Sequence, residues 1–263
     1  IITKFIYKTP TIYVIHSFEK NITFNAYKWL NTWLYKNKTM VGVSSDITNH
    51  FKKLYGLNNV STIHNALDIE TVNKEALDLE IYNTVEDPYV IYFGRIDNLS
   101  KNLKLLLEAY KNSKLPSNGI KLLILGSGPD SDELKDFANE LEISNQVIFK
   151  NQLKNPFPLV KKALFTILTS HFEGFPLVLL ESLSLGTPVI SVDSKSGPDE
   201  IINHEQNGLL IENYNVKALS EAMNSFIFDK ELYATCKDNA KGSVQQFSMD
   251  EIAKKWQSLL NEI

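Results

Sequence analysis

Short apolar runs alternate with stretches in which apolar residues return every three or four positions, and this alternation fills almost the whole chain. Thr11 to Ile15, Thr39 to Val43 and Val60 to Ile63 are β-rich and read as strands. After Asn21 a helical pattern rich in aromatics carries Phe24, Tyr27, Trp29, Leu30, Trp33 and Leu34. Ser45 is placed to cap a helix that stops near Gly56, and Asp68 to cap a short one through Leu77. From Leu79 to Pro88 the period fades and acidic and polar residues take over, which predicts a linker.

A second series follows. Tyr89 to Phe93, Ile120 to Leu125, Gln146 to Phe149, Leu164 to Leu168 and Val189 to Val192 read as strands, and Asn207-Gly208 turns into another that ends at Ile211. Between them the spacing predicts helices: one opened by Lys101 with Leu103, Leu106, Leu107 and Tyr110 on one stripe, one up to about Leu141, one near Pro158 to Ala163, and one starting near Pro176. A last helix, about Met249 to Asn261, carries Trp256. Continuous apolar strands bounded by helices are the pattern of parallel sheets covered on both faces. The expected fold is therefore α/β, with two doubly wound, Rossmann-like parallel-sheet domains. Residues 1–80 form a partial N-terminal domain, 88–247 a complete second one, and 248–263 a helix expected to return to the first. Ligands of such sheets bind at the carboxyl ends of the strands, where Gly94, Gly126 and Ser170 all fall.

Composition narrows the function. A chain of 263 residues with 43% hydrophobic and 22% charged residues can bury a sizeable core. Its net charge of −4 argues against a general nucleic-acid binder, which needs a basic surface. The single Cys236 precludes an internal disulfide and a multi-cysteine metal site, so a reducing cytoplasm is the default. The five histidines lack zinc-ligand spacing, no apolar run reaches the length of a membrane span, and the first residues do not resemble a signal peptide. The first residue is Ile1 rather than Met, which reads as a fragment lacking the start of its first domain.

The candidate chemistry sits in three places. In the stretch from Ser170 to Ser191, Pro176 suits the first turn of a helix, whose free N–H groups at Phe175, Leu177 and Val178 can receive an anion. Glu173 precedes that helix start and Glu181 follows Leu177 by one turn on the same face, so both can reach the hydroxyls of such a ligand. A buried amphipathic helix with an acidic cap is the plainer alternative. In Phe93-Gly94-Arg95, with Lys101 six residues on, two cations leave a strand end together: arginine offers a planar fork to phosphate oxygens and lysine a compact charge. A lysine opening a helix opposes the dipole and so calls for another reason. The turn Gly126-Ser127-Gly128-Pro129 admits a ligand close to backbone, although such turns are common.

Taken together, FGRIDNLSK (93 to 101), LILGSGP (123 to 129) and EGFPLVLLESLSLGTPVIS (173 to 191) resemble the retaining glycosyltransferases of family four, which have the GT-B fold of two facing Rossmann-like domains. IHNALD (63 to 68), where IPNGVD is commoner, and EIINHEQNGLLI (200 to 211) are similar too. The resemblance implies that Arg95 and Lys101 hold the donor diphosphate, that Glu173 lies near the donor sugar and Glu181 binds the ribose hydroxyls, and that Gly174, Phe175, Pro176 and Leu177 approach sugar and phosphates. It places Leu153 at the nucleotide base with Gly126 nearby, and His16, in YVIHS, at the reaction centre from the N-terminal domain.

By the same resemblance the expected activity is transfer of a sugar, with retention of configuration and without a metal or other cofactor, from a nucleotide sugar, UDP-linked first of all, to a cell-envelope glycan or lipid-linked acceptor. Ser196 to Glu200 hints at an N-acetylhexosamine donor. The expected setting is the bacterial cytoplasm, with peripheral contact at the inner face of the membrane through the missing N-terminal part as the open alternative. Asp130-Ser131-Asp132 imitates a metal-binding motif, but at a helix start capping is the expected role. Asn102 departs from the glycine usual after the lysine. A GT-B sugar-nucleotide epimerase and a non-catalytic nucleotide-sugar-binding module remain as alternatives; a glycosidase, which could use two carboxylates, does not need the two cations.

Overall fold

The computed structural model describes residues 11–17, 28–36, 38–78 and 85–262, and among them the chain forms two sheets in which every strand pair is parallel. The first has the order β1-β2-β3, with β1 Ile12–Ile15, β2 Thr39–Gly42 and β3 Val60–Thr62. Helices α1 (Lys28–Tyr35), α2 (Ser45–Tyr55) and α3 (Ile69–Glu75) accompany it. Of the aromatic helical pattern, Phe24 and Tyr27 lie outside the described residues, while Trp29 and Trp33 are exposed on α1. α2 ends as expected, on Gly56 in the left-handed region at φ 62°. Its cap is Ser44, not Ser45: the Ser44 side chain accepts from the Ile47 N–H while Ser45 already has helical geometry. Asp68 caps α3 through the Thr71 N–H.

The second sheet has the order β6-β5-β4-β7-β8-β9, from β4 Tyr89–Phe93, β5 Lys121–Leu125, β6 Val147–Lys150, β7 Thr166–Leu168, β8 Val189–Val192 and β9 Gly208–Ile211. All five residues of β4 and all four of β8 are buried, which is why these strands read as unbroken apolar runs. After β4 the chain adds strands outward to β6; β7 then returns to the other side of β4 and the chain proceeds to β9. Right-handed crossovers in the two directions put helices on opposite faces and open a crevice between β4 and β7 at their carboxyl ends. The crossover helices are α4 (Asn98–Lys101), α5 (Leu103–Asn112), α6 (Ser131–Glu140), α7 (Phe157–Lys162), α8 (Leu177–Ser184) and α9 (Pro198–Ile201), followed by α10 (Val216–Phe228), α11 (Lys230–Ser243) and α12 (Met249–Asn261).

Two segments join the sheets. Most of the expected linker, residues 79–84, lies outside the described residues. α3, which precedes it, already meets the second unit: the Asn73 side chain donates to the Ser184 carbonyl at 3.3 Å, and Asn155 donates to the Glu75 carbonyl at 2.9 Å. At the other end, α12 buries Ile252 with Val41 of β2 and Ile63 after β3, with Trp256 and Leu259 packed around them. No helix among the described residues is long and apolar enough to cross a membrane.

Candidate active site

The crevice is floored by the two loops that leave β4 and β7. Tyr92 is fixed first: its hydroxyl donates to the Arg95 carbonyl at 2.6 Å, and burial, reinforced by the nearby charge of Glu173, holds the phenol far above its ordinary range. Gly94 follows at φ 147°, a conformation that L side chains rarely adopt. The chain then turns through Asp97, which caps α4 by accepting from the Ser100 N–H and hydroxyl. Lys101 does not open the following helix; it is the last residue of α4, and Asn102 in the left-handed region, at φ 51°, separates it from α5. A cation at a helix C-terminus is favoured, so no dipole penalty needs explaining.

From the other side, the loop after β7 brings Glu173 to Lys101. Nζ and Oε1 are 2.7 Å apart, with the side chains 21% and 12% exposed. The Ser170 hydroxyl donates to the same Oε1 at 2.6 Å. The loops are laced together by backbone as well: His171 N–H donates to the Ser100 carbonyl at 2.8 Å, and the Thr169 hydroxyl to the Lys101 carbonyl at 2.9 Å. Arg95, 65% exposed, pairs with Asp97 at 2.9 Å and donates from the same nitrogen to the Ser100 hydroxyl at 3.3 Å.

Arg95 also lines a cavity of about 360 Å³ with Phe93, Gly94, Gly126, Gln152 and Leu153. Gly126 is required there: a Cβ would lie 1.8 Å from the Gly94 carbonyl oxygen. Asp130 holds the N-cap position of α6, as the sequence suggested, but its side chain makes no capping hydrogen bond. Its side chain accepts from the Asn98 N–H at 2.6 Å and so braces α4 against the glycine turn. Among the described residues no group of three or more His, Cys, Asp or Glu is placed to hold a metal ion.

α8 starts one residue later than expected. Pro176 has extended backbone and sits at the N-cap, so the N–H groups of Leu177 and Val178 lack intrahelical acceptors. Phe175 is buried, and Leu177 remains exposed. Gly174 lies against the first sheet's loop: a Cβ on it would be 1.9 Å from the His16 carbonyl oxygen. Glu181 stands in the second turn of α8 and makes no side-chain hydrogen bond or ion pair among the described residues. Burial without a partner pushes its carboxyl up to about 7.

Thus Arg95, Gly126 and Leu153 share a cavity, Lys101 and Glu173 form a pair, and the backbone carbonyl of His16 faces Gly174, while His16 itself lines a separate cavity with His64 and Trp256. Glu181 joins none of them by hydrogen bond. The sequence reading put Ser170 at the ligand-binding end of its strand without giving it a role, and it missed Asp97 and Ser100, whose spacing is itself a helix-cap signal.

The residues that build this floor also decide the family. The family model described as glycosyl transferases group 1 matches residues 75–243. The chain belongs to that family. Among curated relatives, the Campylobacter jejuni N-acetylgalactosamine-N,N'-diacetylbacillosaminyl-diphospho-undecaprenol 4-alpha-N-acetylgalactosaminyltransferase is 33% identical over 192 residues, 73% of this chain and 51% of its own. The Bacillus subtilis poly(glycerol-phosphate) alpha-glucosyltransferase is 30% identical over 194 residues, 73% of this chain and 28% of its own. The chain thus spans about half or less of these two relatives. Among solved structures, Anabaena HepE in complex with UDP has TM-score 0.87 at 21% identity, over 100% of this chain and 75% of that one, a likeness of fold. A sucrose-phosphate synthase from Thermosynechococcus elongatus has TM-score 0.83 at 19% identity, over 99% and 69%. The GT-B arrangement read from the sequence is therefore the fold of this group 1 chain.

Proposed function

We propose that the protein transfers a sugar, with retention of configuration, from a nucleotide sugar, a UDP-sugar first of all, to a glycan or lipid-linked acceptor of the cell envelope. The observation that carries the proposal is the Lys101–Glu173 pair, set between the Arg95 cavity and the His16–Gly174 contact. In this reading the base and ribose occupy the cavity beside Leu153 and Gly126, with Glu181 on the ribose hydroxyls. The diphosphate lies between Arg95, Lys101 and the start of α8, and the sugar lies under Glu173 and His16.

The chemistry fits those charges. Breaking a sugar–phosphate bond builds positive charge on the sugar and negative charge on the departing diphosphate. A preorganised donor aimed at developing negative charge contributes roughly 2.7–4 kcal/mol, whereas a helix terminus at the surface contributes about 0.3–1 kcal/mol. Lys101 and Arg95 therefore outweigh the dipole of α8, and their two charges serve the leaving group without a metal. Glu173 keeps Lys101 oriented and leaves carboxylate oxygen facing the sugar. Support for the substrate class also comes from the curated relatives, named for transfers to a diphospho-undecaprenol-linked glycan and to poly(glycerol-phosphate). An N-acetylhexosamine donor is the version suggested by Ser196 to Glu200. The proposed setting is the cytoplasm, with peripheral contact at the inner face of the membrane, and the proposed division is an acceptor-side domain before residue 80 and a donor-side domain over 88–247.

Saturation-transfer NMR against a panel of nucleotide sugars tests this. The expected result is saturation of uridine protons with UDP-sugars and not with the free sugars, followed by glycosylated product when acceptor is added. Product from a UDP-sugar without acceptor would make the protein an epimerase, and UDP binding with no turnover would make it a binding module.

A further inference from the structure

We propose that His64 is a positioning residue that locks the start of α8 against the first sheet and thereby holds His16 over Gly174; the proposal rests on the reading of that place as a donor site. His64 follows β3 at the carboxyl edge of the first sheet. Its ring lies 4.8 Å from that of Phe175, the residue just before the α8 cap, and meets Phe247 edge-on at 5.3 Å. Phe247 belongs to the turn through which the chain crosses back to the first sheet, and its carbonyl accepts from the Leu67 N–H at 2.8 Å. One imidazole therefore touches the donor helix start and the returning segment together.

The ring is tied to the second unit by its Nε2, 2.8 Å from Glu200 Oε2. Glu200 belongs to α9 and also accepts from the Ser45 N–H at 2.8 and 3.1 Å, at the start of α2. Burial pushes the Glu200 carboxyl up, but the bonds from His64 and Ser45 outweigh it and hold it below the usual range. The segment between Ser196 and Glu200 is a wedge. On one side the Ser196 hydroxyl lies 3.1 Å from the carbonyls of Glu173 and Gly174, and a Cβ on Gly197 would be 2.9 Å from Pro176 and 3.1 Å from the Phe175 Cα. On the other, the Ser44 hydroxyl donates to Ser196 at 3.0 Å. Glu173 through Pro176 is thus fixed by a segment that is itself fixed by His64 and the α2 start.

The other ring nitrogen carries a cost. His64 Nδ1 is buried without a hydrogen-bond partner, and an unmet buried polar group is costly. An aliphatic side chain would fill the same space without that cost. What the imidazole adds is the bond to Glu200 across the two units.

The experiment compares His64→Leu, which fills the space, with His64→Gln, which keeps a donor for Glu200. Steady-state transfer, UDP titration calorimetry and amide hydrogen exchange are read on each. For His64→Leu the expected result is a kcat lower by at least tenfold, a loss of UDP affinity several-fold smaller than the loss of kcat, and faster exchange over residues 172–177. His64→Gln should recover most of the kcat. A His64→Leu protein with parental kcat and exchange overturns the proposal. So does a loss of kcat that only tracks the fraction of protein unfolded. If the parent protein binds no UDP, the donor-site reading fails, while the exchange comparison still decides whether His64 holds the helix start.

Discussion

Lys101 and Glu173 are 72 positions apart in the chain, yet their charged ends are 2.7 Å apart, the first supplied by the short helix α4 after β4 and the second by the loop after the adjacent parallel strand β7. Removing the cation strips charge from the proposed diphosphate position and leaves a half-buried carboxylate with only the Ser170 hydroxyl. Hydrogen bonds to charged groups contribute about 1.5–3 kcal/mol. Lys101→Ala is therefore expected to weaken UDP about 10- to 150-fold in titration calorimetry. Arg95→Ala should weaken UDP in the same direction while leaving Tm within a degree or two, because exposed ion pairs contribute only about 0–1 kcal/mol. Unchanged UDP affinity in both variants would remove the diphosphate from this place.

Glu181 gives a pH dependence with an unusual sign. Burial raises its folded-state carboxyl to about 7, above its unfolded value. Below the unfolded value both states hold the proton and nothing is lost. As pH rises toward 7 only the unfolded state ionises, and stability declines to a penalty on the order of 3 kcal/mol. Glu181→Gln should flatten that decline in urea melts between pH 5 and 8. The ionised carboxyl is the better acceptor for ribose hydroxyls, so uridine, which has no phosphate to titrate, should bind more tightly at pH 8 than at pH 6. The glutamine variant should lose that difference.

Two glycines make a matched pair. At Gly174 a Cβ would meet the His16 carbonyl at 1.9 Å, and backbone cannot swing aside as a side-chain tip can. Gly174→Ala is expected to cost about 1–3 kcal/mol, as overpacking does, and to abolish transfer by parting the sheets. At Gly242, in α11, nothing lies within 4 Å. Gly242→Ala should instead stabilise by about 0.5–1 kcal/mol in thermal melts, with unchanged activity.

Asn102 occupies the position where the family commonly has glycine, and its φ of 51° explains both residues. Asparagine tolerates the left-handed region and glycine adopts it freely. Asn102→Gly should bind UDP as the parent does, with melting within a few degrees. Asn102→Val, β-branched at the same angle, should disorder the turn that presents Lys101 and weaken UDP at least tenfold.

How much of this was legible follows from what each signal measures. β4 and β8 are buried on both faces, so their unbroken apolar runs named them. Gly56 ended α2 where the sequence put it because left-handed backbone selects glycine. Lys101 was misplaced for a related reason: α4 is one turn long and carries no period, so the pattern that begins at Leu103 seemed to extend back to the lysine. Asp130 looked like a cap because three polar residues opened a helix, but its oxygen goes to Asn98, a partner 32 positions away. The bond between His64 and Glu200 spans 136 positions and leaves no local trace. Only the replacement of the commoner proline in IHNALD marked His64 as unusual.

The strand order has one more consequence, for assembly of the molecule. β5 and β6 intervene in the chain between β4 and β7, so the Lys101–Glu173 pair spans the longest separation between paired strands of the second sheet. Non-local parallel pairing of this kind is slow, since its closure entropy precedes its reward. The charged floor of the crevice therefore depends on the one strand pairing of this sheet with the greatest closure cost.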